Sequence, residues 1–460
     1  MESHTFNNTI LREYDIRGII KKDLNLIDAL YLGKSFATFL KKNGLKNVVI
    51  GYDGRISSTK INNELIKGLL SKGIFVYQVG LVPTPLLYYS MYYKKLDSGI
   101  MITGSHNPPN YNGFKMLLKN KSIVGKDILD IAKISSKGDF CKNKKGVLKK
   151  ISLKKEYLSL LVKLSNIKRD IKIAWDPGNG ASGDIISSLT KKLKGKHYLI
   201  NEKIDGTFPS HHPDPTVAKN LKQLIKLIKK KKCDFGFAFD GDGDRLGVVD
   251  NKGKMIFADK VVAFLAKDVL SKKPSSKIII DIKSSQIVFN EIKKLKGKPI
   301  FWKTGHSLIK KKMKEIKAIF AGEMSGHIFF ADEYFGFDDA IYASIRFLNL
   351  YCDSNNRLSE IFDKMENSFS TPELRFESTE TEKFKIVEKL KSILRKEKKR
   401  FIGIDGVRHT IKEGWWLVRA SNTQNIIVAR CEAYSNENLI KVKLNLKKYL
   451  KKSSFDVPKF

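Results

Sequence analysis

The 460-residue chain is poor in cysteine and proline, with four and twelve residues respectively. Cys141, Cys233, Cys352 and Cys431 stand far apart and form no CxxC pair, which argues against a disulfide framework or a zinc knuckle and suits reduced thiols in a cytoplasm. No run approaches ~20 consecutive apolar residues, so no membrane span is expected. The opening Met1-Glu2-Ser3-His4-Thr5 lacks the basic-then-apolar layout of a secretory signal. Long low-complexity tracts are missing, and 42% hydrophobic with 10% aromatic residues suffice for folded cores. Arginine is scarce too, supplying 13 of the 86 basic residues. The formal charge of +38 is therefore mostly lysine, spread along the chain; runs such as 229–232 and 310–312 read as solvated helix faces. Reading bases takes bidentate arginine, and gripping single strands takes aromatic platforms interleaved with it, so no nucleic-acid partner is expected. A basic surface would still steer small anions toward the chain.

What the sequence does contain is an alternation of short apolar strands with longer helical stretches, the mark of an α/β protein with mixed or parallel sheets. Residues 47–51 read as a buried strand, 60–70 as a helix, then 74–79 and 99–103 as strands. A second cycle runs from 171–175 to 235–239, and a third from 277–281 to 318–321. Each cycle ends with a strand entering a glycine-rich polar loop: 103–107, 240–245 and 322–327. Three similar units, each giving one loop, would build one shared cleft. Beyond residue 366 the texture changes. A charge-rich helical stretch (380–399) precedes 401–404, 415–419 and 426–433, which alternate as antiparallel strands do. The expected division is α/β domains over 1–151, 152–253 and 254–365, and a smaller α+β domain over 366–460.

Four loops carry chemistry. In Thr103-Gly104-Ser105-His106-Asn107, a serine hydroxyl stands just past a strand end beside a glycine; it needs a base or a cation to act as a nucleophile. His106 and Lys115 are nearby candidates for proton transfer or charge stabilisation. In Asp240-Gly241-Asp242-Gly243-Asp244-Arg245, three carboxylates at alternate positions form a hard oxygen cage suited to Mg²⁺. An EF-hand fails here, since its sixth position would be Arg245 and its twelfth Asn251. Arg245 is placed to grip a phosphate. In Gly322-Glu323-Met324-Ser325-Gly326-His327, side chains two apart would point the same way from an extended loop, offering hydrogen bonds to sugar hydroxyls. In Arg419-Ala420-Ser421-Asn422-Thr423, a guanidinium, two hydroxyls and an amide make an anion nest. Tyr14-Asp15-Ile16-Arg17-Gly18 and Thr304-Gly305-His306 are weaker signals of the same kind.

Together and in this order, the loops resemble those of the α-D-phosphohexomutase superfamily, specifically its bacterial phosphomannomutase/phosphoglucomutase branch, over essentially the whole chain. The resemblance implies three similar α/β domains and a fourth α+β domain around a central cleft. It implies a phosphoserine at Ser105, with Ser105, Asp240, Asp242 and Asp244 holding Mg²⁺. The reaction implied is interconversion of hexose 1- and 6-phosphates through a bound hexose 1,6-bisphosphate. Arg17, His106, Lys115, Arg245 and His306 become catalytic candidates. Gly305, Glu323, Ser325, His327, Arg419, Ser421, Asn422 and Thr423 become substrate-binding ones. Met324 and Gly104 resemble the mannose/glucose branch, whereas Gln424-Asn425 departs from the Thr-Pro usual after the phosphate loop. A monomer or weak dimer in the cytoplasm is expected. Two rivals remain: a metal-dependent phosphatase with Asp240 as nucleophile, and a non-enzymatic sugar-phosphate-binding regulator.

Overall fold

The computed structural model describes residues 2–119, 121–142, 145–379, 381–421 and 425–455. Among these residues four sheets form. In the first, strands Asn47–Tyr52, Phe75–Leu81 and Ser98–Ile102 run parallel, and Tyr111–Leu118 returns antiparallel beside Ser98–Ile102. The second pairs Lys172–Asp176 in parallel with Lys196–Leu199 and Phe235–Phe239, and Leu246–Asp250 returns antiparallel. The third repeats this with Lys277–Asp281, Lys298–Trp302 and Phe320–Gly322, followed by antiparallel Ile328–Phe330. The fourth is antiparallel throughout, and helices Glu382–Lys396 and Asn436–Lys452 pack against it. The expected α/β architecture, three mixed units and a fourth α+β unit, is the one observed.

Local sequence accounts for these elements. Ser98–Ile102 and Phe235–Phe239 are buried at every position, as central strands covered on both faces must be, so they read as continuous apolar runs. Helix Lys222–Lys231 buries Leu224 and Ile228, one turn apart, and leaves its lysines in solvent. The second lysine run behaves differently. Lys310 is buried, because helix His306–Ile316 turns that position toward a carboxylate, Asp338, instead of water.

A common device positions all four loops. In each unit a strand enters the loop and the neighbouring antiparallel strand leaves it, so the loop is held at both ends by a ladder. The stretch from Tyr111 to Lys115 lies in the returning strand of the first unit. Strand Gly414–Ala420 is buried throughout and does not alternate, because helices cover one of its faces and the third unit the other.

Candidate active site

Ser105 sits at the tip of the first loop with φ of +49°, a left-handed conformation unfavourable for a residue with a Cβ. The surroundings hold it there. Its amide donates to Thr103 Oγ1 at 2.7 Å, and its carbonyl accepts from Arg55 Nη2 at 2.7 Å. The Arg55 guanidinium also donates to the carbonyls of Asn107 (2.6 Å), Pro108 (2.5 Å) and Tyr111 (3.0 Å). Asp53 pairs with Arg55 Nε at 3.1 Å and accepts from Thr103 Oγ1 and the Gly104 amide. The Phe208 ring from the second unit lies over Arg55, 5.1 Å from the guanidinium carbon. Gly104 must be glycine, since a Cβ there would fall 2.5 Å from Arg55 Cζ and 2.8 Å from the Tyr111 carbonyl oxygen. Asp53 and Arg55 act from some fifty residues upstream and belong to none of the sequence motifs. Their only local signal is a charged pair directly after the apolar strand Asn47–Tyr52.

The aspartate trio lies directly beneath, fully buried, with donor oxygens of all three within 4.8 Å of one another. Asp240 Oδ2 is 3.1 Å from Ser105 Oγ, and Asp240 Oδ1 accepts from the amides of Asp244 and Arg245. Lys115 Nζ bridges Asp242 Oδ2 (2.7 Å) and Asp244 Oδ2 (2.5 Å). Thr84, at the start of helix Thr84–Tyr93, donates its hydroxyl to Asp242 Oδ2 and its amide to the Asp242 carbonyl, joining the first unit to the second. Gly243 takes φ of +75° to let the loop curl between Pro83 and Ser182.

The donor set fits a divalent cation. Three carboxylates face one ammonium and, 3.9 Å from Asp240, one guanidinium, and Asp242 Oδ1 and Asp244 Oδ1 are buried without a hydrogen-bond partner. Burial and the two other carboxylates push Asp240 well above its usual range. Burial would raise Asp242 as well, but Lys115 outweighs it and holds that carboxyl far below. Lys115 is itself held charged, because the carboxylates overcome its burial.

Above this floor opens a cleft of about 880 Å³, reached by all four units. Volumes of roughly 300–1,000 Å³ are usual for small-molecule sites. Arg17, Ser105, His106, Lys115, Arg245, Gly305, His306, Glu323, Ser325, His327, Arg419 and Ser421 all line it. Asn422 and Thr423 lie outside the described residues. Arg17 donates to Asn107 Oδ1 at 2.7 Å and to Asp15. His106 Nδ1 is 3.4 Å from Ser105 Oγ, and burial together with Arg245 and Arg17 drives its pKa well below the usual value. Arg419 forks onto Asp405, whose Oδ2 also accepts the Thr304 amide at 3.1 Å.

The sugar loop differs from the extended form expected of it. Residues 323–327 form a tight turn, closed by the Gly326 amide on the Glu323 carbonyl (3.0 Å) and the Glu323 amide on the His327 carbonyl (2.9 Å). Glu323, Ser325 and His327 nonetheless all line the cleft. Glu323 Oε1 accepts the Gly305 amide at 2.6 Å, and burial raises its pKa. Ser325 is half-buried in the cleft, while His327 turns inward to Asp338, 3.1 Å away, and Asp244, 3.5 Å away. His306 Nδ1 is 3.3 Å from the same Asp338 oxygen. Lys283, Glu373, Arg375 and Arg430 also line the cleft and carry no motif signal.

Comparison with known proteins agrees across the whole chain. Four family models match in order: phosphoglucomutase/phosphomannomutase α/β/α domain I at residues 8–141, domain II at 155–253, domain III at 257–369 and the C-terminal domain at 373–447. The phosphomannomutase/phosphoglucomutase of Pseudomonas aeruginosa is 39% identical over 456 residues, covering 99% of this chain and 98% of the relative. A phosphoglucomutase of Neisseria gonorrhoeae is 40% identical over 427 residues, covering 92% and 93%. A crystal structure of a phosphoglucomutase/phosphomannomutase family protein from Burkholderia thailandensis superposes with a TM-score of 0.92 at 36% identity, covering 98% of each chain. A serine loop, an acidic trio and two further loops converging on one cleft, over an unbroken match of this length, leave one assignment: the chain belongs to the phosphoglucomutase/phosphomannomutase family, in the bacterial branch of the α-D-phosphohexomutase superfamily, and is a phosphohexomutase.

Proposed function

We propose that the chain interconverts the 1- and 6-phosphates of mannose, glucose or both, through a phosphorylated Ser105 and a bound hexose 1,6-bisphosphate. The observation that carries this reading is the 3.1 Å contact between Ser105 Oγ and Asp240 Oδ2, at the meeting point of the serine loop and the acidic trio. In the first half-reaction the bond from phosphorus to Ser105 Oγ breaks and a bond to a sugar hydroxyl oxygen forms. The hydroxyl proton passes to a base in the cleft. His306 suits that role, because burial and the Lys310 ammonium bring its pKa down to about 4, so it is neutral, and it lines the cleft. Lys115, held charged, serves charge stabilisation instead.

The bisphosphate then turns end for end, and its other phosphoryl group returns to Ser105 Oγ as the base gives the proton back. Glu323 and Ser325 hold sugar hydroxyls in either orientation, while Arg419 and Ser421, with Asn422 and Thr423, hold the phosphate that does not react. Arg17 and Arg245 stabilise charge at the reacting end. Asp240, Asp242 and Asp244, with the serine phosphate, would hold Mg²⁺, which supplies electrostatic stabilisation of the transferring phosphoryl. The four free thiols support a reducing, cytoplasmic setting, and we take the enzyme as a monomer or weak dimer without nucleic-acid or membrane partners.

The test is to incubate the enzyme with glucose 1,6-bisphosphate and Mg²⁺, map phosphate by mass spectrometry, and assay turnover of mannose, glucose and glucosamine 1-phosphates. Phosphate on Ser105, activation by the bisphosphate and loss of nearly all turnover in Ser105→Ala are expected. Turnover retained in Ser105→Ala, or phosphate on Asp240, would instead favour an aspartyl phosphatase.

A further inference from the structure

Thr84 is fully buried at the start of helix Thr84–Tyr93, in the first unit, yet its polar groups serve the second. Its hydroxyl donates to Asp242 Oδ2 at 2.5 Å, and its amide donates to the Asp242 carbonyl at 2.8 Å. The acidic loop is thus gripped twice from outside its own unit, once by its backbone and once by a carboxylate. The gripping residue is stiff. Pro83 and Pro85 flank it and restrict the backbone, and branching at Cβ restricts the side chain. Gly243 lets the loop close up on this segment, since a Cβ there would stand 3.2 Å from Pro83 Cβ.

The two oxygens of Asp242 are treated differently. Oδ2 takes the Thr84 hydroxyl and, at 2.7 Å, the Lys115 ammonium. Oδ1 is buried with no hydrogen-bond partner among the described residues. A carboxylate oxygen is costly to bury alone, and a hard cation is the partner it suits. Lys115 by itself does not fix which oxygen is left over. Its ammonium is a point charge with three rotatable donors, and it is shared with Asp244 Oδ2 at 2.5 Å. A hydroxyl facing a carboxylate can only donate, and here the backbone sets its line of approach.

We infer that Thr84 is a positioning residue for the divalent cation: its hydroxyl holds Asp242 by Oδ2 so that Oδ1 is kept for the ion, and its amide ties the acidic loop to the unit that carries Ser105. The inference rests on the mutase reading only in taking the trio as the Mg²⁺ site. Valine has the shape of threonine without the hydroxyl. In Thr84→Val the carboxylate would keep one flexible partner, Lys115, and a methyl group would face Oδ2. The side chain could then turn, and its oxygens would no longer be sorted between protein and ion. Losing a group that orients a metal ligand lowers metal affinity by about 10- to 100-fold. Because Lys115 remains, the lower end of that range is expected here.

The test titrates Mn²⁺ into the full-length enzyme, follows the free ion by electron paramagnetic resonance, and then displaces it with Mg²⁺. Thr84→Val should bind both ions ~10-fold more weakly than wild type, and Thr84→Ser, which keeps the donor, should recover affinity to within about threefold. Turnover of Thr84→Val should be low at limiting Mg²⁺ and largely restored at saturating Mg²⁺, with KM for the sugar phosphate unchanged. A general loosening of the fold would not be repaired by metal. Wild-type metal affinity in Thr84→Val overturns the inference, as does lost turnover that no concentration of Mg²⁺ restores. If Thr84→Val does not fold, Thr84→Ala, which also lacks the hydroxyl, carries the same expectation. A wild-type enzyme that takes up no Mn²⁺ would defeat the metal site and this inference together. Failure to find phosphate on Ser105 would defeat the mutase reading and leave the affinity comparison standing.

Discussion

Tyr157, Trp175, Phe235 and Phe347 belong to one apolar core that runs through the first three units, whereas Trp416, Val418 and Leu446 belong to a core confined to the fourth. Between the third and fourth units the apolar seam is small, built on Ile282, Trp415 and Leu417. Buried polar contacts complete it. Glu432 Oε1 accepts from Ser285 Oγ, the Gln286 amide and Trp415 Nε1, and Arg408 reaches back to the carbonyls of Ile282 and Ser284. The reacting wall of the cleft thus stands on a shared core, and its groups are already paired with one another. The wall carrying Arg419 stands on a separate core docked through a narrow seam. A transfer that depends on alignment needs the first arrangement, and a pocket that must take one sugar in two directions tolerates the second.

The sharpest way to break the reacting wall is to remove part of its acidic floor. Asp242→Ala takes away a buried carboxylate and leaves Lys115 and Thr84 facing a gap. Turnover should fall by roughly 10³-fold, with a large rise in the Mg²⁺ concentration needed for half-activity. Unchanged Mg²⁺ dependence would take the trio out of metal binding. Arg55→Lys should come next. A lysine cannot reproduce a planar fork that serves four carbonyls, and buried acceptors left unpaired cost about 1–3 kcal/mol each. The loop around Ser105 should loosen, giving a ~100-fold lower kcat and slower phosphorylation of Ser105 by the bisphosphate. A wild-type rate of phosphorylation would show that the loop keeps its shape without the fork.

Breaking the seam should have a milder and different effect. Glu432→Ala leaves three donors buried without their acceptor, a cost of about 3 kcal/mol. The fourth unit should then melt at a lower temperature than the other three in calorimetry. KM should rise by ~10-fold, with kcat changed far less, because groups at the reacting end are untouched. A single unfolding transition with an unaltered KM would mean that the two walls are not energetically distinct.

Much of this layout is legible in the sequence, and the exceptions share a physical cause. The strand-then-loop rhythm, Ser105 and the trio at 240, 242 and 244 are local patterns, where neighbouring residues state their own chemistry. Arg55, Thr84, Lys310 and Asp338 act across distances set by the fold. Thr84 grips a loop 158 positions downstream, and Lys310 becomes a buried counter-ion only because Asp338 comes to rest 2.7 Å from it. In sequence Lys310 opens a lysine triplet that reads as solvent-facing. The sugar loop misleads for the opposite reason. Residues 323–327 alternate as an extended stretch would, yet two backbone hydrogen bonds close them into a turn, from which Glu323, Ser325 and His327 all still line the cleft.

The smallest expected effect concerns pH, and it separates the two walls by their protons. Burial, aided by Lys310, lowers His306 to about 4 from an ordinary value near 6.5. Its folded-state pKa is thus below the unfolded one, so between these values the unfolded chain binds the extra proton. The contribution to stability is complete above pH 6.5 and is lost as pH falls through about 4, on the order of 3 kcal/mol in total. Relative to His306→Asn, which cannot take up that proton, the wild type should lose unfolding free energy steadily over this window. The His306 ring signals should stay on their neutral plateau from pH 8 to 5. A midpoint near 6.5 would mean that His306 is solvated and free to charge, and the neutral base at the reacting end would have to be sought elsewhere in the cleft.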